Sequence, residues 1–192
     1  MSFSAVILAG GKSSRMGRDK AWLPVGGRSL LERQVDCARH AGAREVFISG
    51  RAGMDYSMVG CRVLEDEFAD AGPLAGIAQG LKTSSDPLLL VLAVDMAELT
   101  AEFIKDIYGR CVDGIGAVPV CQGMIEPLAG FYPKACDVIA QGLLEEGQTG
   151  HCPGARQFAA MCAKVGLLQL VEVPAFEAAR LKSWNSPADV PV

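Results

Sequence analysis

The sequence has only two histidines, His40 and His151, and neither has a recognisable partner. His40 falls in a stretch of helical periodicity and His151 in a glycine-rich turn. Both therefore read as surface or structural rings, and no Ser-His-Asp arrangement is visible. Paired cysteines are also missing. The seven thiols, at 37, 61, 111, 121, 136, 152 and 162, are odd in number and scattered, with no CxxC spacing. This argues against a disulfide framework and against a zinc site, and reads as reduced, mostly buried thiols in a cytoplasmic protein. No apolar run could span a bilayer, since the longest covers only 88–94. Residues 1–4 carry no positive charge and the apolar run after them is short, so no signal peptide is expected. There is no basic excess either: the net charge is −4 and the pI about 5.2. That argues against a nucleic-acid binder working by broad phosphate neutralisation. Any anion site must be local, built from a few basic side chains and backbone amides. Repeats, low-complexity tracts and linkers are absent as well.

What is present is apolar residues, half of the 192, enough for a substantial core and consistent with one domain over 1–192. The periodicity predicts strands at 4–8, 45–49, 61–64, 88–94, 116–120 and 167–173, and helices at 29–41, 72–81, 100–112, 135–146 and 155–164. Pro73 is well placed near the first turn of its helix and Thr100 caps another. Residues 127–131 read as an edge or irregular strand, because proline removes a ladder donor. The tail at 181–190 is polar with one tryptophan. Strands alternating with helices, and uniformly apolar, predict an α/β fold: a Rossmann-like, mostly parallel sheet covered by helices on both faces. Ligands of such sheets bind at the carboxyl ends of the strands. There the first strand runs into Gly10-Gly11 and the central apolar strand runs into Asp95.

The segment LAGGKSSRMGRDKAWLPVGG, residues 8–27, supplies glycines and cations together. Gly10 and Gly11 allow close approach of the main chain to a ligand. Lys12, Arg15, Arg18, Lys20 and Arg28 offer charge, the arginines as bidentate grips and the lysines as point charges. Such a loop is a physical solution to binding phosphate. It is not a P-loop, because Val6 stands where that pattern needs glycine. It is not a dinucleotide fingerprint, because Lys12 stands at the second glycine position. Glycines alone fit an ordinary strand-to-helix turn with a solvated basic face equally well.

The string LAGGKSSRMGRDK resembles the signature L-x-G-G-x-S-x-R-M-G-x-D-K of the MobA-like nucleotidyltransferases, and among them the molybdenum cofactor guanylyltransferases. The resemblance continues in family order along almost the whole chain. Val63-Leu64-Glu65-Asp66 followed by Gly72-Pro73-Leu74-Ala75-Gly76 is similar to the second family block, and Val94-Asp95-Met96 to the strand end that binds metal. Weaker matches are Pro127-Leu128 through Tyr132 and Asn185-Ser186-Pro187-Ala188-Asp189.

This resemblance implies a nucleotide-diphospho-sugar transferase-like fold and transfer of GMP from GTP to the terminal phosphate of the molybdenum cofactor, with Mg2+ as cofactor and pyrophosphate as product. It implies that Leu8, Ala9, Gly10 and Gly11 line the nucleotide site with Ser49, Asp66, Gly72 and Pro73. Lys20 and Arg15 would act on the phosphates, Asp95 would hold the metal, and Asn185 would lie near the phosphates or the pterin substrate. The family often carries asparagine where Ser49 and Ser183 stand. Implied partners are GTP and molybdopterin, with transient contact to molybdoenzyme-maturation proteins and none to nucleic acid or membrane. The attacking group is a phosphate monoester, already mostly dianionic near neutral pH, so catalysis would be positioning and charge neutralisation. The first turn of the 72–81 helix adds free amides and partial positive charge, and Gly72 and Gly76 are expected to leave room for a flat base. Two other activities fit the same fold: cytidylyl transfer to the same pterin, and nucleotidyl transfer to a sugar phosphate. A non-catalytic nucleotide-binding regulator is the alternative from another class.

Overall fold

The computed structural model describes residues 1–10, 20–51, 53–64, 71–147 and 153–184. Two apolar runs, buried except for Leu8 at the end of the first, lie at its centre. Phe3–Leu8 (β1) pairs in parallel with Leu88–Ala93 (β6), from Phe3 opposite Leu88 to Leu8 opposite Ala93. Between them in the chain come the short hairpin Pro24–Val25 (β2) and Arg28–Ser29 (β3), helix Leu30–Ala41 (α1), strands Val46–Ser49 (β4) and Arg62–Leu64 (β5), and helix Pro73–Thr83 (α2). After β6 come Ala101–Tyr108 (α3), Gly116–Cys121 (β7), Met124–Ile125 (β8), Ala129–Pro133 (β9), Cys136–Gly147 (α4), Ala155–Lys164 (α5) and Leu168–Glu172 (β10). The main sheet has the order β10-β7-β9-β6-β1-β4-β5, with β8 hairpinned onto β7. All neighbours along that path are parallel except β9, which runs against both β6 and β7.

Side-chain alternation along the central strands divides the core in two. Ala5 and Ile7 of β1, with Leu90 and Leu92 of β6, pack under Leu31 and Val35 of α1 and Phe103 and Ile107 of α3. Val6, Leu89 and Val91 face the other way, onto Leu74 and Ile77 of α2, Leu143 and Leu144 of α4 and Phe158 of α5. Helices therefore cover both faces of a mostly parallel sheet, as the apolar strands predict.

The helix boundaries have local causes. Ser29 and Glu32 form a reciprocal capping box at the start of α1, and Gly42 ends it in the left-handed region. Thr100 Oγ1 accepts from Phe103 N–H to start α3. That helix ends at Tyr108, with Gly109 as its C-cap, before the 112 expected.

The expectation for 127–131 needs correction. The strand is Ala129–Pro133, it is buried throughout, and it lies between β6 and β7 rather than at an edge. Its two prolines bracket it. Pro127 lies in the turn before the strand, where its carbonyl accepts from Tyr132 Oη at 2.7 Å, and Pro133 is its last residue, opposite Leu88. No interior ladder donor is lost. Two hairpins lie outside the predicted elements. Gly26-Gly27 links β2 to β3 with both φ angles positive, the geometry a two-residue turn demands. Gln122-Gly123 does the same between β7 and β8.

Candidate active site

The strand order places a topological switch at β1. Its own successors β4 and β5 lie to one side, and the chain returns through α2 to β6 on the other. A crevice at the carboxyl ends of β1 and β6 is where this architecture binds ligands. Leu8 lies at the end of β1, opposite Ser49 of β4 on one side and Ala93 of β6 on the other. The main chain stays joined beyond the strands: Ala9 N–H donates to Ser49 O at 2.8 Å, and Val94 N–H to Leu8 O at 3.2 Å. Gly10 comes next and is exposed. A Cβ there would meet only ordinary contacts, the nearest 3.6 Å away at Gly50 O.

Lys20 and Asp95 meet at this end of the sheet. Lys20 Nζ donates to Asp95 Oδ2 at 2.9 Å across 75 residues of sequence, and the two side chains are 18% and 19% exposed. They are accessible from solvent yet sheltered enough for their charges to matter. Lys20 opens a single 3-10 turn, Lys20–Trp22, anchored by Ala21 in the core. The Trp22 ring stacks on Tyr56 at 5.9 Å between centroids. Tyr56 is buried against Gly50, where a Cβ would stand 2.2 Å from the ring, and its hydroxyl accepts from Arg51 N–H at 3.0 Å. The turn that carries Lys20 is thus clamped to the loop after β4.

The other expected residues distribute unevenly. Ser49 is buried, and Gly76 lies directly over it. A Cβ at Gly76 would come within 2.3 Å of Ser49 Oγ and 2.7 Å of Leu8 Cδ2. The absent side chain at Gly76 therefore makes room for β1 and β4, not for a base as its spacing suggests. Gly72 is different: nothing described lies within 4 Å of a Cβ there, and it precedes Pro73 without a side-chain cap. The first amides of α2 thus begin beside the ends of β1 and β4. Arg28 ion-pairs with Asp36 on α1 at 2.5 Å instead of reaching toward Lys20. His40 Nδ1 lies 2.7 Å from Asp36 O on the surface, in keeping with a structural role. Gly11, Arg15, Asp66, Asn185 and His151 lie outside the described residues.

Residues without any motif signal hold the loop after β6. Gln34 Nε2 donates to Met96 O at 2.6 Å, Arg33 Nη2 to Ala97 O at 3.3 Å, and Cys37 Sγ to Leu99 O at 3.6 Å. Burial, and secondarily the charge of Glu102, pushes the Cys37 thiol up to about 11, so it keeps its proton near neutral pH. Trp184 N–H donates to Asp95 O at 2.9 Å, bringing the C-terminal segment to the same place. One feature of the sequence does point to Gln34. It stands four residues after Leu30 and four before Ala38, on the apolar stripe of α1.

The described residues contain no cluster of three or more His, Cys, Asp or Glu that could cage a metal ion. Asp95 offers a partly exposed carboxylate at the crevice. One carboxylate fits a Mg2+ ion bound mainly through nucleotide phosphates and water, and would not fit a protein-caged structural metal.

Comparison with known proteins identifies the family and the fold. Residues 5–162 match the family model described as MobA-like NTP transferase domain. A probable molybdenum cofactor guanylyltransferase of Opitutus terrae is 37% identical over 191 residues, covering 98% of this chain and 93% of that protein. Among solved structures, a nucleotidyl transferase from Methanothermobacter superposes with a TM-score of 0.75 at 18% identity, covering 98% of this chain and 94% of that one. Molybdopterin-guanine dinucleotide biosynthesis protein A from Archaeoglobus fulgidus superposes with a TM-score of 0.68, also at 18% identity, covering 97% and 94%. At such identities these two likenesses establish the fold.

Proposed function

The chain belongs to the MobA-like NTP transferase family and is a nucleotidyltransferase, and from that premise we propose that it transfers GMP from GTP to the terminal phosphate of molybdopterin. The observation that carries the reading is the Lys20–Asp95 pair at the mouth of the β1–β6 crevice. A cation and a carboxylate side by side beyond the strand ends support a site for a triphosphate and its metal there. In the absence of nucleotide the two neutralise each other. With nucleotide bound, Lys20 would turn to the phosphates, and Asp95 would hold Mg2+, whose charge would offset that of the phosphate oxygens.

The reaction needs no general base. An oxygen of the pterin phosphate dianion attacks the α-phosphorus of GTP, a new P–O bond forms, the bond to the β-phosphate oxygen breaks, and the electron pair leaves with pyrophosphate. The barrier is electrostatic, because an anion approaches an anionic centre. Lys20 stabilises charge on the α-phosphate and the departing pyrophosphate, and Arg15 joins it there. Leu8, Ala9, Gly10 and Gly11 run along the nucleotide. The amides at Gly72 and in the turn opened by Pro73 lie at a helix start, where partial positive charge favours an anion. We assign Asp66 and Ser49 to recognition of the nucleoside and Asn185 to that of the pterin substrate. Among the described residues no helix is long and apolar enough to cross a membrane, and the six described cysteines are free thiols. Both fit work in the cytoplasm, where a maturation protein would collect the product.

The test is pyrophosphate release from GTP and from CTP with Mg2+, with and without molybdopterin. The reading expects release with GTP only, and only when molybdopterin is present. Preference for CTP would instead make the enzyme a cytidylyltransferase on the same acceptor. Release with a sugar phosphate and none with the pterin would replace the acceptor.

A further inference from the structure

Four main-chain carbonyls in the loop around Asp95 are taken by donors from elsewhere in the fold. Trp184 N–H donates to Asp95 O, Gln34 to Met96 O, Arg33 to Ala97 O and Cys37 to Leu99 O. Three of the donors are side chains of α1, at consecutive or one-turn spacing on the side facing the loop. Gln34 is the one whose presence needs a reason. It is 2% exposed and stands on the apolar stripe among Leu30, Ala38 and Ala41. Its amide oxygen has no hydrogen-bond partner among the described residues. A buried amide with one end unsatisfied is destabilising relative to an apolar side chain of similar size. What the glutamine contributes is its short bond to the carbonyl immediately after Asp95.

We propose that Gln34 is the positioning residue of Asp95: by holding Met96 O it fixes the loop, so that the Asp95 carboxylate stands at the crevice mouth opposite Lys20. This rests on the reading of Asp95 as the residue that holds the cation, and it adds how a side chain of α1 sets that residue's place. The neighbouring bonds from Arg33 and Cys37 brace the same loop farther on. A displacement of about 1 Å at a reacting centre is enough to cost orders of magnitude in rate, so a rigid support here has a chemical consequence.

The test uses the full chain with Gln34→Met, which keeps length and burial but removes the donor. Val35→Ala serves as the control, since it trims a buried core side chain of the same helix without removing any hydrogen bond to the loop. Two quantities are read. One is native-state hydrogen exchange at Met96, Leu99 and Trp184, whose amides bond to Ala93, Met96 and Asp95. The other is the Mn2+ concentration that half-saturates GTP binding. After correction for global stability, Gln34→Met is expected to speed exchange at these amides by about tenfold and raise the half-saturating Mn2+ about fivefold, the scale of losing one buried bond. Val35→Ala is expected to change neither. Arg33→Met, which removes a longer bond to the same loop, is expected to move both in the same direction by a smaller factor.

Exchange in Gln34→Met no faster than in Val35→Ala would overturn the proposal, whatever the enzyme's substrate. Faster exchange with unchanged Mn2+ dependence would also overturn it, provided Asp95→Ala does weaken Mn2+. If Asp95→Ala itself leaves Mn2+ binding at the wild-type level, the reading of Asp95 fails first and the inference falls with it.

Discussion

Replacing Gly76 with alanine adds one methyl group where there is no space for it. The new Cβ would stand 2.3 Å from Ser49 Oγ, 2.7 Å from Leu8 Cδ2 and 2.8 Å from Ser49 Cβ. All three contacts are inside van der Waals distance, and both neighbours belong to paired parallel strands of the main sheet, β1 and β4. Overpacking of this kind costs about 1–3 kcal/mol, and three simultaneous clashes put Gly76→Ala near the top of that range. The helix propensity of alanine over glycine returns roughly 1 kcal/mol. The net loss is about 2 kcal/mol, which for a chain of this length lowers Tm by roughly 4–8 °C. The first turn of α2 must lift from the ends of β1 and β4, so nucleotide binding is expected to weaken along with stability. Adding Ser49→Ala removes only the 2.3 Å contact, so the double variant should recover part of the loss and not all of it. Thermal unfolding by circular dichroism, paired with a GTP binding titration, measures both. A Gly76→Ala protein with unchanged Tm and unchanged GTP affinity would refute the claim that α2 is seated through this glycine.

Other perturbations probe separate parts of the account. Lys20→Ala is expected to slow GMP transfer by about 100-fold, the scale of one charged transition-state contact, and unchanged steady-state constants would count against its role. At Asp86, burial raises the carboxyl pKa, but hydrogen bonds from Ser2 and Ser4 and the charge of Arg44 outweigh it, leaving the pKa below its ordinary value. Stability from this lowered pKa is present above the ordinary carboxylate range and is lost as pH falls through the folded value. The stability gap between wild type and Asp86→Asn in urea should therefore be open at neutral pH and close below about pH 4; a gap constant with pH would contradict it.

Much of the crevice is legible in the sequence because its determinants are local. The apolar runs at 4–8 and 88–94 fit buried parallel strands, and the residues just past each run, Gly10 and Asp95, must then lie at the strands' carboxyl ends. That Lys20 reaches Asp95 also depends on the Trp22–Tyr56 stack and on Gly50. None of those three residues carries a local signal of that contact. The strand at Ala129–Pro133 is misplaced by sequence reasoning that weighs proline as a breaker inside the element, when its effect depends on whether an interior amide is needed. Gly76 reads as space for a ligand because a sequence cannot say which atoms occupy the room a glycine leaves. Gln34 has the composition of a surface position, and only the stripe it interrupts hints at its burial.

The most direct measurement is the Mg2+ dependence of pyrophosphate release from GTP in wild type and Asp95→Ala, at saturating molybdopterin, with folding of the variant verified by its Tm. If Lys20 and Asp95 share one metal–triphosphate site, wild type responds saturably to Mg2+ and Asp95→Ala loses turnover across the whole range. An Asp95→Ala protein that tracks the wild-type Mg2+ curve at near-normal rates would contradict the account.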